Sequence, residues 1–146
     1  MASLLTLLAD GARAGVYRTA MDAEELVAAG KTVGLEVLRL GLGGARGKNG
    51  LLDRFAKALR LPAHFGRNWD ALNDCLCDLD WLGAKGLLLI VTGANDFVAA
   101  DEEDFRTAVE ILEGAGEFWR ARKKPFWVLI QAQGELALKL PQIVAE

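Results

Sequence analysis

The spacing of apolar positions changes several times along this chain, and each change marks an element. Leu35-Glu-Val-Leu-Arg-Leu40 alternates and predicts a strand, and Gly15–Arg18 is a shorter candidate. Gly86-Leu-Leu-Leu-Ile-Val91 is continuously apolar, as expected of a central strand with neighbours on both sides. Phe126-Trp-Val-Leu-Ile130, opened by Pro125, reads as the fourth strand. Between these runs the period is helical. Met21–Ala29 has Asp22, Glu24 and Glu25 in its first turn and Gly30 just past its end. Leu51, Leu52, Phe55, Ala58 and Leu59 share one face of a helix from Gly50 to Arg60, with Asn49 as its N-cap and Pro62 as its stop. A long helix from Asp101 to about Arg122 opens on Asp101, Glu102, Glu103 and Asp104. It closes on Arg120, Arg122, Lys123 and Lys124, a charge order that complements the helix dipole. Gly114 and Gly116 within it predict a kink or a close packing contact, and Asp96–Ala100 adds one turn before it. Upstream of Gly15 the pattern fits a helical turn or an arm equally well. Leu136, Leu138, Leu140 and Ile143 predict a tail that covers an edge of the core.

Strands alternating with helices predict an α/β fold with parallel pairing, here a sheet of about four strands packed with helices. A length of 146 residues suits one domain, long enough to bury a core without disulfides or metal.

The most unusual stretch is Leu61–Asp80, a turn followed by a short two-faced helix. Trp69, Leu72, Leu76 and Leu79 form an inward stripe at helical spacing. Asp70, Asp74 and Asp78 recur at i, i+4 and i+8, successive members about 6 Å apart along the axis. Like charges so spaced cost roughly 0.2–0.5 kcal/mol per pair. From Asn68 to Ala84 no Lys or Arg offsets them.

Charge narrows the partner. A net charge of −3 and a pI near 5.3 argue against binding nucleic acid through a basic surface, and a cationic partner fits better. No apolar run reaches the roughly 18–20 residues that span a bilayer, and the first ten residues lack a basic n-region, so the expected location is the cytoplasm. Cys75 and Cys77, two apart on a helix, point to nearly opposite sides and cannot bridge; small half-buried thiols in a reducing compartment are expected.

Other chemistry is weakly supported. Two thiols and the single His64 cannot complete a four-ligand zinc site, and Asp78–Gly83 lacks the spacing of a calcium loop, so no metal or cofactor is expected. His64 lies roughly 12–15 Å from either thiol if the helix starts near Arg67, too far for a Cys–His pair. The Gly41–Gly50 loop ends in Gly47-Lys48 like a phosphate-binding loop. Leu42 and Asn49 replace the first glycine and the magnesium-binding hydroxyl, so a flexible connection is the better reading.

Leu61-Pro-Ala-His-Phe-Gly-Arg-Asn-Trp-Asp-Ala-Leu-Asn-Asp-Cys-Leu76 resembles the signature of the barstar family, intracellular inhibitors of barnase-type ribonucleases. The likeness runs from about Leu35 to Ile130. It divides the chain into a core of about 34–131, an added strand–helix unit over 1–33 and a tail over 132–146. The resemblance implies a non-catalytic protein that shields its producing cell, plugging the cationic active site of a small ribonuclease or related toxin nuclease one to one. Carboxylates would stand in for RNA phosphates, with Asp74 central and Asp70 its partner. Gly66 and Asn68 would shape the contacting loop, and Trp81 would supply the aromatic that follows the helix. Asn73 stands where the family has a contact tryptophan, His64 where it has a tyrosine, and Arg67 where it has a glutamate. Glu117 is nearest to the acid contributed by the family's long helix. Two other readings are a protein that binds a phosphorylated ligand through Gly41–Gly50, and an interaction module with a non-nuclease partner.

Overall fold

In the computed structural model, residues 3–61, 66–78, 86–134 and 139–143 are described. Helix α1 (Leu4–Ala9) and one 3-10 turn (Gly11–Arg13) precede strand β1 (Val16–Thr19) and helix α2 (Ala23–Thr32). Strand β2 (Glu36–Gly41) leads to helices α3 (Gly47–Leu59) and α4 (Trp69–Leu76). Strand β3 (Leu87–Thr92), helix α5 (Ala94–Ala121), strand β4 (Phe126–Gln131) and strand β5 (Gln142–Ile143) complete the fold.

The five strands form one sheet in the order β2-β3-β4-β1-β5, and every pairing is parallel. The continuously apolar runs are the two interior strands β3 and β4, buried from Leu87 to Val91 and from Phe126 to Ile130. Their side chains alternate between two cores, as strand geometry requires. Leu87, Leu89, Val91, Phe126, Val128 and Ile130 pack with α3, α4 and α5 on one face. Leu88, Ile90, Trp127 and Leu129 pack with α1 and α2 on the other. The sheet is thus covered on both sides, and the N-terminal helices supply one of the covers.

The sheet has five strands rather than about four. Gln142–Ile143 pairs with β1, so this part of the tail covers the sheet edge as a strand, with Ile143 buried; Leu136 and Leu138 lie outside the described residues. Upstream of Gly15 the chain is helical, with Ser3 Oγ accepting from the Thr6 N–H. Helix α2 runs through Gly30 to Thr32, and the glycine past its end is Gly34, at φ 87°. Gly30 stays in the helix because it faces Leu88 and Val37 where a side chain would crowd them.

One further boundary differs from the sequence reading, and the residue behind it, Asp101, also breaks α5 at the position where the sequence starts the long helix. Helix α3 begins at Gly47, not Gly50, and Asn49 lies inside it. Its leading amide is satisfied from a distance: Gly47 N–H donates to Asp101 Oδ2 at 2.9 Å. The break in α5 falls at Asp101 (φ −137°, ψ 54°), between the short turn from Ala94 and the long helix that follows. Gly114 and Gly116 lie in unbroken helix. Gly116 is buried over Gly15 and Phe126, which is the close packing contact, while Gly114 is exposed.

Candidate acidic-helix interface

Helix α3 ends when Arg60 turns left-handed (φ 52°), and the chain re-enters the described structure at Gly66. Pro62 and His64 lie outside the described residues, as do Leu79, Asp80 and Trp81. Arg67 is also left-handed (φ 53°), which reverses the chain just before α4. Asn68 then caps the helix: its Oδ1 accepts from the Ala71 N–H at 2.8 Å, and its Nδ2 donates to Gly66 O at 3.4 Å. One side chain closes the loop and starts the helix. Asp70 in the first turn adds charge that suits the helix N-terminus.

Helix α4 is shorter than its sequence pattern. It stops at Leu76 with Cys77 as C-cap, so Asp78 lies past the end instead of completing a three-acid row. The inward stripe is Leu72 and Leu76, both fully buried, with Trp69 half-buried beside them. The outward face is Asp70, Asn73 and Asp74, all exposed. At about 1.5 Å rise and 100° per residue, these three fall in one patch. Gly66, Arg67 and Asn68 are exposed just before it.

Two cations near this face are engaged internally. Arg67 forms an ion pair with Asp53 of α3, so its charge is turned toward a neighbouring helix. The Lys48 ammonium lies 5.9 Å from the centre of the Trp69 ring. At the other end, Trp119 Nε1–H donates to the Leu76 carbonyl at 2.8 Å in a fully buried contact between α5 and α4. Neither Asp53 nor Trp119 carried a local sequence signal for these roles. Both act across long stretches of chain.

Burial pushes the Cys75 thiol up, and the nearby carboxylates of Asp78 and Asp74 add to the effect. Burial also raises Cys77; Arg122 opposes that rise and Asp74 reinforces it. Thiols held in the neutral form are poor nucleophiles. Among the described residues no group of His, Cys, Asp and Glu is placed to hold a metal ion, and no helix is long and apolar enough to cross a membrane. The Gly41–Gly50 segment is tighter than a flexible connection. Gly41 closes β2, Leu42 and Ala45 are buried, and the Gly47 amide is occupied by Asp101.

Glu117 is exposed, but it belongs to the wrong flank of α5 to join the α4 patch. Glu113, Glu117 and Arg120 recur on one side of the helix, and Arg120 Nη1 donates to Ala14 O beside β1. Arg122 lies roughly 200° further round, on the side where its charge reaches Cys77.

The family model described as barstar (barnase inhibitor) matches residues 35–131. The chain belongs to the barstar family. The match spans β2 to β4 with α3, α4 and α5, and therefore the whole described acidic patch. It leaves out α1, β1, α2 and β5. No curated protein matches the chain.

Proposed function

We propose that this barstar-family chain is a non-catalytic inhibitor of a barnase-type ribonuclease or a related toxin nuclease. It would act in the cytoplasm of the producing cell as a one-to-one complex. The observation that carries the reading is the joint exposure of Asp70 and Asp74 on one face of α4. A ribonuclease site binds a polyanion and is therefore cationic. Two carboxylates about 6 Å apart along a helix can occupy positions that RNA phosphates would take. Such complementarity speeds encounter and rejects wrong partners.

Preorganisation supports the reading. The Asn68 cap and the Trp119 bond hold α4 at both ends, so little ordering is left to do on binding. The Arg67–Asp53 pair keeps that cation directed at the protein's own surface. Asn73 and the Gly66–Asn68 turn would border the contact, with His64 and Trp81 as further contacts from the resemblance. A phosphate ligand at Gly41–Gly50 has less support, because the Asp101 carboxylate already accepts from the Gly47 amide.

The test is inhibition of a panel of small guanyl-specific ribonucleases, repeated with Asp74→Ala. One or more should be inhibited by the native chain. The variant should lose about thirtyfold or more in affinity, the scale of an interface hot spot. Equal inhibition by the variant would place the contact elsewhere, and no inhibition across the panel would reject the class of target.

A further inference from the structure

The far end of α5 carries a second charged feature, of the opposite sign. The Arg122 guanidinium lies 3.6 Å from the centre of the Phe118 ring, and its Nη1 donates to Phe118 O at 3.0 Å. Phe118 meets the buried Trp119 edge-on, with ring centroids 5.0 Å apart, and Trp119 is the residue bonded to Leu76. The arginine is thus held against an aromatic platform beside the end of α4. Its charge and that of Asp74 both act on the Cys77 thiol, which lies within reach of each.

Arg122 closes the end of α5 by donating to the Phe118 carbonyl, and its positive charge complements the dipole of that helix. Other residues already supply that charge. Arg120 is bonded to Ala14 O, and the Lys124 ammonium lies 5.7 Å from the Trp119 ring. Arg122 is different: it is exposed, it is stacked on a half-buried aromatic, and among the described residues no carboxylate pairs with it. A guanidinium fixed in this way loses little entropy on binding and keeps N–H donors for a planar acceptor. Arg and aromatic side chains together are typical of interface centres.

We propose that Arg122 on Phe118 is a second, cationic element of the partner-binding surface, and that the matching nuclease carries a carboxylate at the rim of its cationic cleft. This rests on the inhibitor reading above. The surface would then be two-signed, acidic on α4 and basic at the end of α5. Such a pattern rejects nucleases whose rim is basic throughout, because like charges would meet at Arg122.

The experiment measures affinity for whichever barnase-type ribonuclease the native chain inhibits, using Arg122→Glu, Arg122→Gln and Asp74→Ala, with thermal unfolding of each. Arg122→Glu should weaken binding about tenfold or more, with Arg122→Gln intermediate. Replacing one rim carboxylate of that nuclease by lysine should restore binding to Arg122→Glu and weaken binding to the native chain. A folded Arg122→Glu that binds as well as the native chain, or better, overturns this inference while leaving the inhibitor reading intact. Loss of binding in Arg122→Glu that no rim substitution repairs also overturns it. If Asp74→Ala is also without effect, the contact lies away from α4 and the acidic-helix part of the inhibitor reading fails with it.

Discussion

Trp119 and Leu76 are joined by a buried hydrogen bond of 2.8 Å from the indole N–H to the backbone carbonyl. Leu76 is the last residue of α4, so this bond satisfies a helix-end carbonyl that has no partner within the helix. It also fixes the acidic helix to the long α5. Trp127 is a useful contrast, because it is equally buried but its Nε1 has no hydrogen-bond partner in the described structure.

The pair therefore yields a matched prediction. Trp119→Phe and Trp127→Phe remove similar volumes from buried positions, but only the first strands a carbonyl. Trp119→Phe should be the more destabilising by about 1–3 kcal/mol, the cost of a buried polar group left unpaired. Urea unfolding of the two variants checks this. Equal losses would show that the Leu76 bond adds nothing beyond packing.

A second long-range tie connects Asp101 to the start of α3. Its carboxylate caps Gly47 at 2.9 Å across 54 positions of sequence. Removing a helix cap costs about 0.5–2 kcal/mol, so Asp101→Ala should lower stability by about 1 kcal/mol. Asp101→Asn keeps an acceptor oxygen and loses only the charge, and should fall between the variant and the native chain. Denaturant midpoints with unchanged slopes would confirm that stability alone has moved.

These two ties also explain what was legible in the sequence. Periodicity located β2, β3 and β4 and the helices between them, because each buries a face that its own spacing declares. The exposed carboxylates Asp70 and Asp74 were equally legible, since Leu72 and Leu76 fix which side of α4 faces in. Helix ends were not. Asn49 has the chemistry of an N-cap, but Asp101 already supplies an acceptor two residues earlier, and α3 starts there. The short β5 escaped because two residues carry no period, and only the free edge of β1 makes them a strand. Arg67 looked like a cation beside the acidic face until its left-handed turn brought it to Asp53.

Gly86 marks a place where only glycine fits. Its φ is 92°, and a Cβ there would lie 2.5 Å from Pro125 O and 2.6 Å from Pro125 Cγ. The same Pro125 carbonyl accepts from the Leu87 N–H at 2.9 Å, starting the β3–β4 ladder. Gly86→Ala should destabilise the fold by about 3 kcal/mol, combining left-handed strain with overpacking. Thermal unfolding tests this directly. A loss below 1 kcal/mol would mean that the first rungs of the two central strands can shift to admit a methyl group.

The two thiols offer a test of the acidic face that needs no partner. Burial is the main cause of their raised pKa values, and Asp74 contributes to both. Because the thiolate is the reactive form, disulfide-exchange labelling of the folded chain should reach half its maximal rate at a higher pH than in the unfolded chain. Asp74→Asn removes a negative charge that opposes thiolate formation. It should therefore lower both pKa values and speed labelling at pH 8, by about two- to threefold for an exposed charge that solvent partly screens. The difference should shrink in 1 M salt, where the Debye length falls to about 3 Å. Labelling rates of Asp74→Asn equal to those of the native chain at low salt would mean that Asp74 points away from Cys75 and Cys77.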